Sequence, residues 1–262
     1  MRNMSNFRVF LVKEFMENLR TKRLLVLACV FLFFAMTSPL LTRYMGEFFA
    51  MIMPAGDEMG AAVIAAMGTP TWEDSYIQLY GNLGQIGALT VLLLFMGSIL
   101  REKRSGSADL VFTKGLGPTA FVLAKFTAAG ALTLAMTLVS TLVGYIYTLI
   151  LFEYGGSIGN VLLGGLAFGI FLMMMLAIVL LCSALAKSTA ISAVLGLAAF
   201  VFFGFTSVIP RIGRLSPGNL MASSPISLTL GEFPDGFVIM LIITTAITIL
   251  SLLAAAKITA IT

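Results

Sequence analysis

Six stretches of the chain contain no Asp, Glu, Lys or Arg: residues 24–41, 77–100, 126–152, 158–184, 189–209 and 237–256. At about 1.5 Å of rise per residue, each is long enough to cross a hydrocarbon core that needs about 20 apolar residues. The pattern predicts an all-α membrane protein with six transmembrane helices. Ahead of the first run, Phe7, Leu11, Phe15 and Leu19 recur every four residues beside a polar stripe of Lys13, Glu17 and Arg20. That spacing predicts an amphipathic interfacial helix within residues 1–23. Two outer segments are longer than turns. Residues 42–76 include a small-residue helix candidate at 59–67. Residues 210–236 carry Pro210, Pro217, Pro225 and Pro234, spaced to give short re-entrant or interfacial pieces. The sequence ends just past the last apolar run, so no C-terminal soluble domain is expected, and residues 1–262 read as one transmembrane domain.

Composition strengthens this reading. The hydrophobic fraction is 59% and only 11% of residues are charged, against roughly a quarter in soluble domains. The basic residues are distributed unevenly. With the N-terminus placed in the cytoplasm, Arg43, Arg211 and Arg214 fall outside and the other 13 of the 16 Lys and Arg fall inside. The positive-inside rule then puts both termini in the cytoplasm of an inner or plasma membrane. The net positive charge follows from this orientation signal, and nucleic acid is not an expected partner. Trp72, Tyr76 and Tyr80, with Tyr145, Tyr147 and Tyr154, are expected at the outer headgroup level. Val26-Leu27-Ala28-Cys29 faintly resembles a lipoprotein processing site, but its apolar region continues past Cys29, so the first run is expected to remain as a span.

Catalytic chemistry has little to work with. There is no His, which removes the commonest general base and metal ligand. Cys29 and Cys182 lie in apolar runs without metal-ligand spacing. No catalytic, metal or cofactor residue is expected. Ala186-Lys187-Ser188-Thr189 lacks the glycines and preceding strand of a phosphate-binding loop, and Lys187 near Ser183 reads as an orienting lysine and not as a catalytic dyad. Gly165 with Gly169, and Ser192 with Gly196, form small-xxx-small steps that suit packing within the chain or a dimer contact. Met173, Met174 and Met175 are consecutive and so point around the helix. Gln78, Asn82 and Gln85 share one helical face, and either line a substrate path or hydrogen-bond a neighbouring helix.

The cytoplasmic stretch 101–119 is the most informative. A dense charge cluster, Arg101-Glu102-Lys103-Arg104, leads into a short apolar segment with Leu110, Val111 and Phe112, then a Gly-rich break and Lys125. An apolar patch there has no spanning role and calls for a membrane surface or a protein partner. This stretch resembles the signature loop of the type-two permeases of ATP-binding cassette (ABC) exporters. Glu102, Gly106, Ser107, Leu110, Thr113 and Lys125 stand at matching positions. Gly115 stands where that family usually has Pro, and Pro118 where Arg is common, so the turn after the short helix should differ. The order of an amphipathic helix, six spans, a loop after the second span and broken helices before the sixth is also similar to that family.

The resemblance implies a transport subunit, not an enzyme. Its loop would serve as a coupling helix between spans two and three, wedged in a cleft of a separate ATPase present in two copies. A second permease, identical or similar, would complete the path. Arg101, Glu102 and Arg104 would make charge-assisted contacts, Gly106 and Leu110 would belong to the same loop, and Val111 and Phe112 would fill the apolar cleft. No nucleotide-binding motif exists in this chain, and no charge lies within the spans, which fits an external energy source. The alternative is an ATP-independent secondary carrier or channel.

Overall fold

The computed structural model describes residues 2–52, 68–209 and 212–261. The helix candidate at 59–67, together with Asp57, Glu58, Pro210 and Arg211, lies outside the described residues. Helices α1 (Arg2–Arg20) and α2 (Lys22–Ile52) are followed by α3 (Trp72–Asn82), a π-helical turn Leu83–Gly87, and α4 (Ala88–Phe95). Then come α5 (Ser98–Arg104), α6 (Ser107–Thr113), α7 (Pro118–Phe152), α8 (Ile158–Leu185) and α9 (Thr189–Val208). Two 3-10 turns, Gly213–Leu215 and Pro217–Leu220, lead to α10 (Ser224–Leu230) and α11 (Phe237–Ile261). Among the described residues, six helical units are long and apolar enough to span a bilayer: α2, Trp72–Arg104, α7, α8, α9 and α11. They coincide with the six charge-free runs, and α2, Trp72–Arg104, α7 and α11 extend past them by about one to three turns into polar residues.

The bundle is built around α8 and the second span, whose apolar windows are 72% and 67% buried; the other four are 17–28% buried and form the periphery. Small residues let α7 and α8 approach closely. Thr133, Thr137 and Thr141 form a buried stripe on α7, each hydroxyl donating to the carbonyl four residues earlier at 2.9 Å. A Cβ on Gly165 would lie 2.6 Å from Thr141 Oγ1, and one on Gly169 would lie 2.5 Å from Leu134 Cδ1. A Cβ on Gly196 would lie 3.3 Å from Leu92. The small-residue steps seen in the sequence thus serve packing within the chain.

Two apolar clusters result. The larger surrounds Phe31, Leu79, Tyr80, Phe95, Phe168 and Phe171. The smaller lies at the other end of the bundle, where Phe10, Ile99, Leu116, Phe121, Leu180 and Leu252 meet. This end gathers α1, α6 and the end of α11, and is called the basic face below.

The outer aromatic residues differ from the headgroup expectation. Tyr76 and Tyr80 are buried, with their hydroxyls donating to the carbonyls of Gly155 (2.8 Å) and Val161 (3.4 Å). Trp72 instead forms the rim, edge-on to Tyr154 at 5.3 Å. Between the fifth and sixth spans, Gly218 sits so close to α9 that a Cβ would lie 2.0 Å from the Phe203 carbonyl oxygen. Beyond it, α10 packs on α8, with Pro225 and Thr229 against Gly164. These short pieces are the broken helices that the proline spacing implied.

The second span breaks at Met96–Gly97. Ser183 of α8 accepts hydrogen bonds from the Ile99 and Leu100 amides, both at 3.1 Å, and Ser192 of α9 donates to the Met96 carbonyl at 2.6 Å. Backbone groups freed at membrane depth must be satisfied by neighbouring helices, and these two serines do so. Ser183 has a structural role here.

Candidate functional site

Below that break, α5 and α6 form a compact hairpin on the basic face. Gly106, with φ +71°, makes the turn between them in the left-handed region where a Cβ is penalised. The end of α6 explains the departure at Gly115. Gly115 N donates to the Phe112 carbonyl (2.9 Å) and Leu116 N to the Val111 carbonyl (3.4 Å). With Gly115 at φ +88°, this is the glycine-capped helix end of the Schellman type, with Leu116 buried beside Val111. Proline, fixed near −65° and lacking an N–H, cannot take that place. Pro118 instead occupies the first turn of α7, where a missing N–H costs nothing.

The loop is anchored from beneath by a buried ionic cluster. Lys125, on the first turns of α7, is 4% exposed. Its ammonium lies 2.7 Å from Glu102 Oε1 and 3.1 Å from both carboxylate oxygens of Glu14. Lys13 Nζ lies 2.9 Å from Glu14, 2.9 Å from Glu17 and 3.1 Å from Glu102. Arg23 adds a hydrogen bond to Asn18 at 2.8 Å. Three elements, α1, α5 and α7, are therefore tied through Glu102. Its second oxygen, Oε2, is buried and has no partner among the described residues.

Burial works against the Lys13 charge, but the hydrogen bonds to Glu14 and Glu17 and the nearby Glu102 outweigh it and hold the ammonium above the usual lysine range. Burial likewise pushes Glu17 upward, and the Lys13 hydrogen bond and charge more than offset it, so its carboxyl is held below the usual range. Carboxylates of Glu14, Glu17 and Glu102 come within 4.8 Å of one another, close enough to share a cation. The Lys13 ammonium already holds that position.

Aromatic packing completes the anchor. Phe10 stacks on Phe121 at 5.4 Å, Phe112 meets Phe121 edge-on at 5.4 Å, and Lys125 Nζ lies 5.0 Å from the Phe121 ring centre. The expected coupling residues therefore divide into two groups. Glu102, Val111 and Phe112 are turned toward the chain's own core, while Leu110 is 66% exposed at the tip. Arg101 Nε donates to the Gly97 carbonyl at 3.2 Å, and Arg104 donates to the Lys187 carbonyl, bracing the hairpin against α9's start.

The sequence pattern did not single out Glu14 or its pairing with Lys125. The signal was present: Glu14 follows Phe7, Phe10 and Leu11 on one helical face, and a carboxylate on an apolar stripe needs a buried cation. The inward face of α1 is Phe7, Phe10, Leu11, Glu14 and Asn18, whereas Phe15 and Leu19 are about 40% exposed.

The three amides of the second span do not act together. Asn82 donates to Ser38 Oγ at 3.0 Å, the helix-to-helix reading. Gln78 borders a cavity of about 270 Å³ with Thr42 and Asp74. Gln85 is exposed on the π-helical turn, an insertion that recurs at functional sites.

These features define an all-α polytopic membrane protein with an anchored hairpin after its second span. The family model for ABC-2 family transporter proteins matches residues 58–257. The chain belongs to that family and is a membrane permease component of an ABC transporter. Members of this family are transport subunits, not enzymes, and associate with an ABC ATPase. Among curated proteins, none matches the chain.

Proposed function

We propose that this chain is the permease of an ATP-driven exporter, with the α5–α6 hairpin as its coupling lever. The lever docks on a separate ATPase, two copies of which serve a pair of permeases, identical or similar. Both termini and the basic face lie in the cytoplasm of the cell membrane, as the bias of Lys and Arg requires. The observation that carries this reading is the division of the hairpin: Leu110 is presented outward while everything behind it is clamped to the bundle.

ATP binding closes the ATPase pair and displaces whatever is wedged in it. A displacement of the hairpin passes from α6 to α7 through Phe112 and Phe121, and from α5 to α7 and α1 through Glu102 and its two lysines. The hairpin must bind the two ATPase states differently, or no work is coupled. The exposed face around Gln85 is the proposed lining of the translocation path, completed by the second permease.

Leu110→Glu tests the lever with little effect on the fold, since Leu110 is 66% exposed and belongs to neither apolar cluster. The variant should insert normally in the membrane yet lose transport and the ATPase that co-purifies with the wild type. Unchanged coupling in that variant would remove the hairpin from the mechanism.

A further inference from the structure

The outer side of α1 leaves a second feature unexplained, independent of the ATPase reading. A groove of about 390 Å³ runs between α1 and α7, with Val12, Phe15 and Met16 on one wall and Thr127, Ala128 and Ala131 on the other. The Thr127 hydroxyl is turned back to the Leu123 carbonyl at 2.8 Å, so the groove floor presents methyl groups alone. It offers a ligand no hydrogen-bonding side chain, and only hydrocarbon matches such a surface. Val12 is 55% exposed, Phe15 40% and Met16 39%, an apolar face of the kind an interfacial helix turns to bilayer hydrocarbon.

Charge identifies the owner of that hydrocarbon. Arg8 lies one turn before Val12 and Arg20 one turn after Met16, so the exposed face of α1 is apolar in the middle and cationic at both ends. Both arginines are exposed and have no ion pair among the described residues. The groove also backs onto the ionic cluster: Leu11 and Phe15 flank Glu14, and Ala128 follows Lys125 by about one turn. A chain lying there would keep water from the Glu14–Lys125 pair.

We propose that this groove holds an acyl chain of an anionic phospholipid from the surrounding bilayer, with Arg8 and Arg20 selecting the charge of the headgroup. Basic residues at an anionic membrane surface contribute about 1 kcal/mol each. Arg8 and Arg20 stand about 18 Å apart along α1, so one headgroup meets one of them, and about 1 kcal/mol at about 1.4 kcal/mol per tenfold gives a preference of about fivefold for phosphatidylglycerol over phosphatidylcholine.

The test is native mass spectrometry of the protein released from nanodiscs holding equal amounts of phosphatidylglycerol and phosphatidylcholine. The wild type should retain a phosphatidylglycerol molecule in preference. Ala131→Trp, at an exposed position, fills the groove and should release the lipid whatever its headgroup. Arg8→Gln/Arg20→Gln should still retain a lipid but lose the fivefold preference. Equal retention by Ala131→Trp, or wild-type retention without headgroup preference, would overturn the proposal. So would a change of oligomeric state in Ala131→Trp with the lipid count unaltered, which would assign the groove to a second protein copy.

Discussion

Replacing Lys125 with methionine keeps the volume of its stem but removes the cation that joins α7 to α1 and to the hairpin. In the wild type this ammonium is 2.7 Å from Glu102 and 3.1 Å from Glu14, at 4% exposure. Removing one partner of a buried pair leaves an uncompensated charge and costs about 3–5 kcal/mol. Here Lys13 still faces both carboxylates, which favours the lower end, about 3 kcal/mol. The loss of the ammonium over Phe121 adds a further contribution of about 1 kcal/mol. The informative comparison is the double variant Lys125→Met/Glu102→Gln. It removes one charge of each sign, so it should be at least about 1 kcal/mol more stable than Lys125→Met alone. Denaturant unfolding in mixed micelles, followed by circular dichroism, measures the wild type, Lys125→Met, Glu102→Gln and the double variant. A Lys125→Met penalty under about 1 kcal/mol, or a double variant as unstable as the sum of the singles, would refute the buried cluster as the anchor of the loop.

Other perturbations probe the remaining parts of the account. Ser183→Ala leaves two amides without an acceptor at the break of the second span and should cost about 2 kcal/mol in the same unfolding assay. Gly115→Ala meets no side-chain clash, its nearest neighbour being Asn6 Nδ2 at 3.8 Å; its left-handed φ alone should cost about 1–2 kcal/mol, and Gly115→Pro should cost more because the capping N–H is lost. The depressed Glu17 carboxyl contributes stability that is present above the ordinary glutamate range and lost as pH falls through its folded value. The raised Lys13 ammonium contributes stability that is present below the ordinary lysine range and lost as pH rises through its folded value. Melting temperature in detergent should therefore be flat between those ranges and fall on either side, and Glu17→Gln should shrink its own part of the acid-side fall.

Much of this molecule was legible because the bilayer imposes a coarse rule on sequence. Charged residues are excluded from the apolar layer, so the six charge-free runs coincide with the six spans. Helix ends were harder to place, because α2 and α7 continue past the apolar layer into polar residues that the rule does not constrain. The hairpin was recognised by Glu102, Gly106 and Leu110, but not the direction its side chains take. Val111 and Phe112 looked available for a partner, and the structure packs both against the chain's own Phe121 cluster. Direction on a short helix depends on a turn set by Gly106 and Gly115, whose positive φ values have no hydrophobic period to announce them. The inward face of α1 is hidden for a related reason. Apolar residues lie on both its sides, and only Glu14 and Asn18 distinguish the face turned to buried partners from the face turned outward.

The central claim is that this permease is driven by a separate ATPase through its hairpin. A mild-detergent pull-down of the tagged chain, with mass spectrometry of what co-purifies, tests it most directly. An ATPase with nucleotide-binding motifs should co-purify with the wild type and be lost on Leu110→Glu while the permease itself is recovered in full. A clean preparation without any ATPase, which nonetheless transports alone in sealed vesicles, would contradict it.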